Sequence, residues 1–264
     1  MVRLDVLLAE RGLVESRSRA QALVLAGRVR VDDRVVTKAG SNVGADARLD
    51  VDHGPPFVSR GGAKLAAALA AFHVDPTGLR CLDVGASTGG FTDCLLQRGA
   101  VAVCAVDVGR GQLHERLRQD ERVVILDGVN ARSLTPEMLP FPPTLAVIDV
   151  SFISLTLVLP AVLACLEAPW RCLPLVKPQF EAGRGQAPGG VVRDPAVQLG
   201  ALERVASVVA ELGAVTLDAC SSGLAGPAGN REFFLHIVSP DHPDAADPPR
   251  DLAACLARAV ASSS

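Results

Sequence analysis

Apolar and polar positions change rhythm along the chain. Leu4-Asp5-Val6-Leu7-Leu8-Ala9-Glu10 has helical spacing and closes at Gly12. A second helical stretch follows, with Ser18 and Gln21 spaced as a capping box, Leu23 and Val24 inward and Gly27 as the stop. Val29 to Val36 alternates about an Asp32-Asp33 turn, and further short strand signals run to Val51. Two small helices and a ribbon therefore occupy residues 1–54, a module of marginal stability on burial alone. His53-Gly-Pro-Pro-Phe-Val-Ser-Arg60 is punctuated by proline and glycine, which puts the linker at 55–60.

Strand and helix signals then alternate across 61–240. Strands are expected near Arg80 to Val84, Val101 to Asp107, Val123 to Leu126, Leu145 to Val150, Cys172 to Lys177, Val215 to Cys220 and Phe233 to Val238. The clearest helix runs from Ala196 to Leu212, with Asp194 as N-cap and Pro195 at its first position. This alternation predicts an α/β fold, a seven-stranded and mostly parallel sheet covered by helices on both faces, with the last strand antiparallel. After Pro240 the chain reads as a loose connector, and a short helix over Asp251 to Val260 closes the tail, 241–264.

Composition narrows the picture. With 49% hydrophobic and 21% charged residues the chain is an ordinary globular protein, not a disordered or collagen-like one. Its longest apolar stretch, Leu155 to Leu166, is interrupted by Thr156 and Pro160, whereas a membrane-spanning helix needs roughly 20 apolar residues. Arg3, Asp5, Glu10 and Arg11 break any signal-peptide pattern, so a cytoplasmic protein without a membrane partner is expected. The 7 cysteines form no C-x-x-C pair and sit singly in apolar runs, as buried residues of a reducing compartment do; no metal site is expected.

The net charge of −3 hides a local asymmetry. Arg17, Arg19, Arg28, Arg30 and Arg34 cluster in the front module, where they can converge on backbone phosphates. With no Tyr and 1 Trp, contact with RNA would be mostly electrostatic, without a surface built on stacked aromatics.

Leu82-Asp83-Val84-Gly85-Ala86-Ser87-Thr88-Gly89-Gly90-Phe91 ends one strand and opens a helix, a place where small residues let backbone approach a ligand. Asp107 ends the next strand, where a carboxylate can accept both hydroxyls of a ribose. The glycine run is not G-x-G-x-x-G, so a nucleoside fits better than a dinucleotide. The same residues also match G-x-S-x-G, the nucleophile elbow of hydrolases, with Asp149 or Asp194 and His236 following in the order Ser, Asp, His. Too little of the domain precedes Asp83 to supply the strands that such an elbow follows.

Lys64, Asp149, Lys177 and Glu232 form a second constellation. Asp149 and Lys177 each end a predicted parallel strand, at the sheet edge that also carries Gly85 to Gly90; Lys64 opens the helix before the first strand, and Glu232 precedes the last one. The chain uses lysine only at 38, 64 and 177, against 23 arginines, so lysine at two of these four positions points to an amine that must release its proton, which a guanidinium cannot do.

Two resemblances follow from these residues. Arg3-Leu4-Asp5, Ser16-Arg17-Ser18-Arg19-Ala20-Gln21 and Gly27-Arg28-Val29-Arg30-Val31-Asp32 resemble the S4-type RNA-binding domain, which implies RNA contact through Arg3, Arg17, Arg19, Arg28 and Arg30. Val58-Ser59-Arg60-Gly61-Gly62-Ala63-Lys64-Leu65, Asp83 to Thr92, Asp149-Val150-Ser151-Phe152-Ile153-Ser154, Val176-Lys177-Pro178-Gln179-Phe180-Glu181 and Gly229-Asn230-Arg231-Glu232-Phe233-Phe234 resemble the TlyA family, hemolysin-like rRNA methyltransferases with an FtsJ/RrmJ-type catalytic domain.

That resemblance implies a Rossmann-like class I methyltransferase fold, S-adenosylmethionine as methyl donor, and a ribose 2′-hydroxyl of ribosomal RNA, free or in ribosomal subunits, as acceptor. It implies catalysis by Lys64, Asp149, Lys177 and Glu232. The donor pocket would be formed by Asp83, Gly85, Ser87, Thr88, Gly89, Gly90, Phe91, Asp107 and Asp127. One departure is the linker, where Pro55-Pro56-Phe57-Val58 stands in place of the arginine and tryptophan of some relatives. A non-catalytic RNA-binding or assembly factor and a membrane-active hemolysin are the competing classes.

Overall fold

The computed structural model describes residues 1–183, 185–226, 228–249 and 251–262. The chain divides into two compact units, Met1–Pro56 and Phe57–Ser264.

In the first unit, β1 (Val2–Arg3) leads into α1 (Leu4–Glu10) and α2 (Arg17–Leu25), followed by β2 (Val29–Val31), β3 (Arg34–Val35), β4 (Asn42–Val43) and β5 (Leu49–Val51). The inward faces of the helices, Leu4, Leu7, Leu8, Ala20, Leu23 and Val24, close over Val29 and Val43 in one small core. Helix α2 is capped by Ser16 and not by Ser18: the Ser16 backbone is extended and its Oγ accepts from Arg19 N at 3.2 Å, so the helix starts two residues earlier than the capping-box spacing predicts. Gln21 is thereby free to reach Asp5. The Asp32-Asp33 turn is as expected, with φ of 47° and 66° joining β2 to β3 as a two-residue hairpin. The pairing of β1 with β4 has no counterpart in the sequence reading, because two-residue strands carry no periodicity.

In the second unit, α3 (Arg60–Ala71) precedes β6 (Arg80–Val84), α4 (Gly90–Gln97), β7 (Ala102–Asp107), α5 (Glu115–Arg118), β8 (Val123–Asp127), β9 (Leu145–Ile148), α6 (Leu155–Ala164), β10 (Arg171–Val176), α7 (Pro178–Glu181), α8 (Pro195–Glu211), β11 (Val215–Ser221), β12 (Phe233–Val238) and α9 (Leu252–Ala261). The strands form one sheet in the order β11-β12-β10-β9-β6-β7-β8, with β12 antiparallel to both neighbours and the other pairs parallel. All seven expected strands are present, most shifted by a residue or two at their ends.

Strand residues alternate between two cores. Leu82, Val84, Ala146 and Ile148 face α6, α8 and α9, while Cys81, Leu145 and Val147 face α3 and α4. The terminal helix is part of this packing: Leu256, Ala259 and Val260 enter the first core, and Asp251 caps it through Ala254 N at 2.9 Å. The strand order reverses between β6 and β9, so the crevice beyond their carboxyl ends is where an open α/β sheet binds its ligand.

Candidate active site

The bend after β6 makes room at this switch point. Gly85 has φ of +83°, and a Cβ there would lie 2.5 Å from the Asp149 carbonyl oxygen at the end of the neighbouring strand, so only glycine lets the two strand exits close up. Helix α3 approaches α4 equally tightly, because a Cβ on Gly90 would meet Ser59 Oγ at 2.2 Å and Gly62 N at 2.8 Å. That contact presses the first turn of α3 against the bend and brings Lys64 to the carboxyl edge of the sheet. Asp93, in the buried start of α4, holds the entry to α3 by accepting from Val58 N at 2.8 Å.

Two adjoining cavities open here, sharing Gly85, Ser87, Asp149 and Ser151. The smaller, about 290 Å³, is lined by all four residues of the Lys/Asp/Lys/Glu constellation. Lys64 Nζ donates to Glu232 Oε2 at 2.5 Å, and Lys177 Nζ lies 2.6 Å from Asp149 Oδ1 and donates to Ser151 Oγ at 2.8 Å. The four come from α3, the exit of β9, the exit of β10 and the entry to β12. The antiparallel course of β12 is what returns Glu232 to this edge. Asn230, itself buried, fixes the approach to Glu232 by bonding Val192 N and Gly190 O. Both lysines are almost fully buried, so each ammonium keeps a carboxylate partner in a place where an unpaired charge would be costly.

The larger cavity, about 560 Å³, lies within the roughly 300–1,000 Å³ usual for small-ligand pockets. Val106, Val108, Val129 and Ile153 give it apolar walls suited to a purine. Asp107 faces it, accepting Ser87 N at 2.8 Å on one oxygen and Gly109 N at 2.7 Å on the other. Each oxygen retains a lone pair for a ribose hydroxyl. The bend, the carboxylate and the apolar walls fit an adenosyl group.

Several expected pocket residues lie elsewhere. Gly85, Ser87 and Asp107 line the larger cavity, and Thr88, Gly90 and Phe91 line the smaller. Gly89 caps α4, and a side chain there would run into Leu113 and Leu117. Asp127 turns to Gly111 N at 2.9 Å and lines neither cavity; Asn130, three residues on, takes the place in the wall. Gln112 is a further wall residue without a sequence signal of its own, and Ser151 and Phe152, from the Asp149 to Ser154 motif, line the wall as well. Phe152 has φ of +63° and is 91% exposed, the reverse of what an isolated phenylalanine predicts.

Asp83 is fully buried beneath the bend. Thr92 Oγ1 donates to its Oδ2 at 2.6 Å, and its Oδ1 has no protein partner. Burial, with Asp149 and Asp107 adding repulsion, pushes its carboxyl up to about 7. The native protein therefore holds a proton that the unfolded chain releases near pH 4, and stability falls as pH rises from about 4 to 7, on the order of 4 kcal/mol in all. Thermal melting followed across this range should show the decline, and Asp83→Asn should flatten it; an equally steep decline in the variant would mean that another group titrates.

The hydrolase alternative fails on geometry. His236 lies on β12 stacked against Phe72 at 5.1 Å and lines neither cavity, and Asp194 is spent capping α8. Burial also lowers the His236 imidazole to about 4. No group of His, Cys, Asp and Glu among the described residues is arranged to hold a metal.

A nucleoside-sized cavity at the switch point of such a sheet, opening onto a Lys/Asp/Lys/Glu cluster, defines a Rossmann-like methyltransferase. Residues 57–238 match the FtsJ-like methyltransferase model and residues 2–49 match the S4 domain. The chain is 48% identical over 238 residues, 89% of each chain, to the 16S/23S rRNA (cytidine-2′-O)-methyltransferase TlyA of Mycobacterium tuberculosis. It is 39% identical to Hemolysin A of Brachyspira hyodysenteriae, over 90% of this chain and 100% of that one. A solved structure of a Streptococcus thermophilus protein labelled a hemolysin superposes with a TM-score of 0.75 at 39% identity, covering 99% of this chain and 95% of that one. The chain belongs to the FtsJ-like methyltransferases, in the TlyA family. Among the described residues no helix is long and apolar enough to cross a membrane.

Proposed function

We propose that this enzyme transfers the methyl group of S-adenosylmethionine to a ribose 2′-hydroxyl of ribosomal RNA, 16S, 23S or both, in the cytoplasm. Residues 1–54 would bind the RNA and residues 61–240 would carry the chemistry. The observation that supports this most is the meeting of Lys64, Asp149, Lys177 and Glu232 in one cavity that shares a wall with the nucleoside-sized one.

The donor supplies a methyl carbon already made electrophilic by its sulfonium, so the protein's tasks are alignment and removal of one proton. Gly85 and Ser87 would hold the adenosyl group close to the sheet edge, and Asp107 its ribose. Lys177 is the group that would take the proton of the 2′-hydroxyl at Nζ, once its ammonium has given up its own proton to solvent. Asp149 and Ser151 fix that nitrogen, while the Lys64–Glu232 pair lines the same cavity and would supply a second cation for the forming alkoxide.

A stacked nucleotide hides its sugar edge, so the target nucleotide should be extruded. Phe152 offers the surface for it: its ring backs onto Phe180 at 5.2 Å and is otherwise open to solvent beside Ser151. Phe152→Ala should raise KM for RNA by the equivalent of roughly 1–3 kcal/mol, and Phe152→Trp should keep it near the native value. Steady-state kinetics in which the alanine variant behaves as wild type would remove this role. The function is tested by mapping ribose methylation on ribosomal RNA from cells with and without the gene, and on purified subunits with added protein. Identical methylation maps would overturn the proposal.

A further inference from the structure

The first unit contains a buried carboxylate with three donors converging on it. Asp5, in the first turn of α1, is fully buried, yet Arg3 grips it twice, Nε to Oδ1 and Nη2 to Oδ2, both at 3.0 Å. Arg17 donates to Oδ2 at 3.2 Å and Gln21 to the same oxygen at 2.9 Å. These donors hold the Asp5 carboxyl well below the usual carboxylate range. The two guanidinium groups are not buried with it: the side chains of Arg3 and Arg17 are 51% and 56% exposed.

The consequence is geometric. Arg3 comes from β1 and Arg17 from the first position of α2, and both have a nitrogen within hydrogen-bond distance of one oxygen. Two half-exposed cations are thereby held side by side with net charge +1, though each carries rotamer entropy that would otherwise scatter it. Each guanidinium has five donor hydrogens, of which Asp5 takes two from Arg3 and one from Arg17, so donors remain on both for an outside acceptor. By contrast Arg30 donates to the Asp33 carbonyl of its own turn, at 3.1 Å.

We infer that Asp5 is a positioning residue that builds Arg3 and Arg17 into a two-pronged clamp for a single phosphodiester of the RNA substrate. The inference rests on the RNA-binding reading of this unit and adds the site and its organiser. It makes a prediction opposite in sign to simple electrostatics. Removing a negative charge beside an RNA-binding surface should tighten binding if only charge matters. If Asp5 positions the clamp, Asp5→Asn binds ribosomal RNA about tenfold more weakly despite its extra positive charge, and the slope of log affinity against log salt becomes shallower by about one phosphate contact.

Fluorescence anisotropy with the full chain and a labelled ribosomal RNA fragment, over a salt series, reads both quantities, with circular dichroism confirming the fold. Should Asp5→Asn not fold, Arg17→Lys tests the same idea without disturbing the buried carboxylate: charge is conserved but the fork is lost, and the clamp requires a similar weakening. Native or tighter binding by either folded variant overturns the clamp. A variant with Arg3, Arg17, Arg19 and Arg30 all changed to Gln separates the two readings. If it binds RNA as well as wild type, the RNA-binding role of the unit falls; if it loses binding while Arg17→Lys does not, only the clamp falls.

Discussion

Lys177→Arg is expected to lower methyl transfer by about a hundred- to ten-thousandfold, the usual contribution of a positioned proton acceptor, while donor affinity changes little. Charge and approximate reach are conserved, so electrostatic stabilisation of the alkoxide survives. What is lost is the ability to take up a proton, because a guanidinium stays protonated at any working pH. Donor binding should persist because Lys177 lines the smaller cavity and is absent from the wall of the larger. Single-turnover transfer to ribosomal RNA, with calorimetric titration of S-adenosylmethionine on the same preparation, measures both halves. Full activity in the arginine variant would sink the proton-acceptor role and leave Lys177 as a charge alone.

Glu232→Leu is expected to be the most destabilising single change at the site. Lys64 and Glu232 form an ion pair with side chains 10% and 1% exposed, and leaving the ammonium there without its partner costs roughly 3–5 kcal/mol. For a unit of this size that is a fall in melting midpoint of roughly 6–20 °C. The paired variant Lys64→Met with Glu232→Leu should regain most of that stability, since two apolar side chains need no desolvation of charge, yet it should not regain methyl transfer. Calorimetric melting and activity on the single and paired variants separate the two effects. A single variant that melts with the native protein would show that the buried Lys64 ammonium does not depend on its carboxylate partner.

Much of the architecture was legible along the chain because the physics that makes it is local. A run such as Leu145-Ala-Val-Ile148 is apolar on both sides since the strand is covered on both faces, and Asp194-Pro195 starts a helix through its own cap and its own fixed φ. Even Lys64, Asp149, Lys177 and Glu232 stood out, because three are placed by the ends of strands and the chain is otherwise so sparing of lysine. Errors came where two local signals competed. Ser16 and Ser18 are both good caps, and the choice fell to the residue whose backbone was extended.

Other features depend on groups distant in the chain. Asp83 and Asp127 have the same composition-level credentials as Asp107, but Asp83 is sealed under the bend by Thr92, and Asp127 is drawn aside by Gly111. Phe152 looks like a core residue until a left-handed backbone turns it out to solvent. The gathering of Arg3, Arg17 and Gln21 on Asp5 runs from residue 3 to residue 21 and follows no period. Strand and helix positions are set by near-neighbour sterics and by hydrophobic rhythm, both written into consecutive residues. Burial, hydrogen-bond competition and the pairing of charges are settled between segments that meet only when the chain has folded, and these choose which of several similar carboxylates face a ligand.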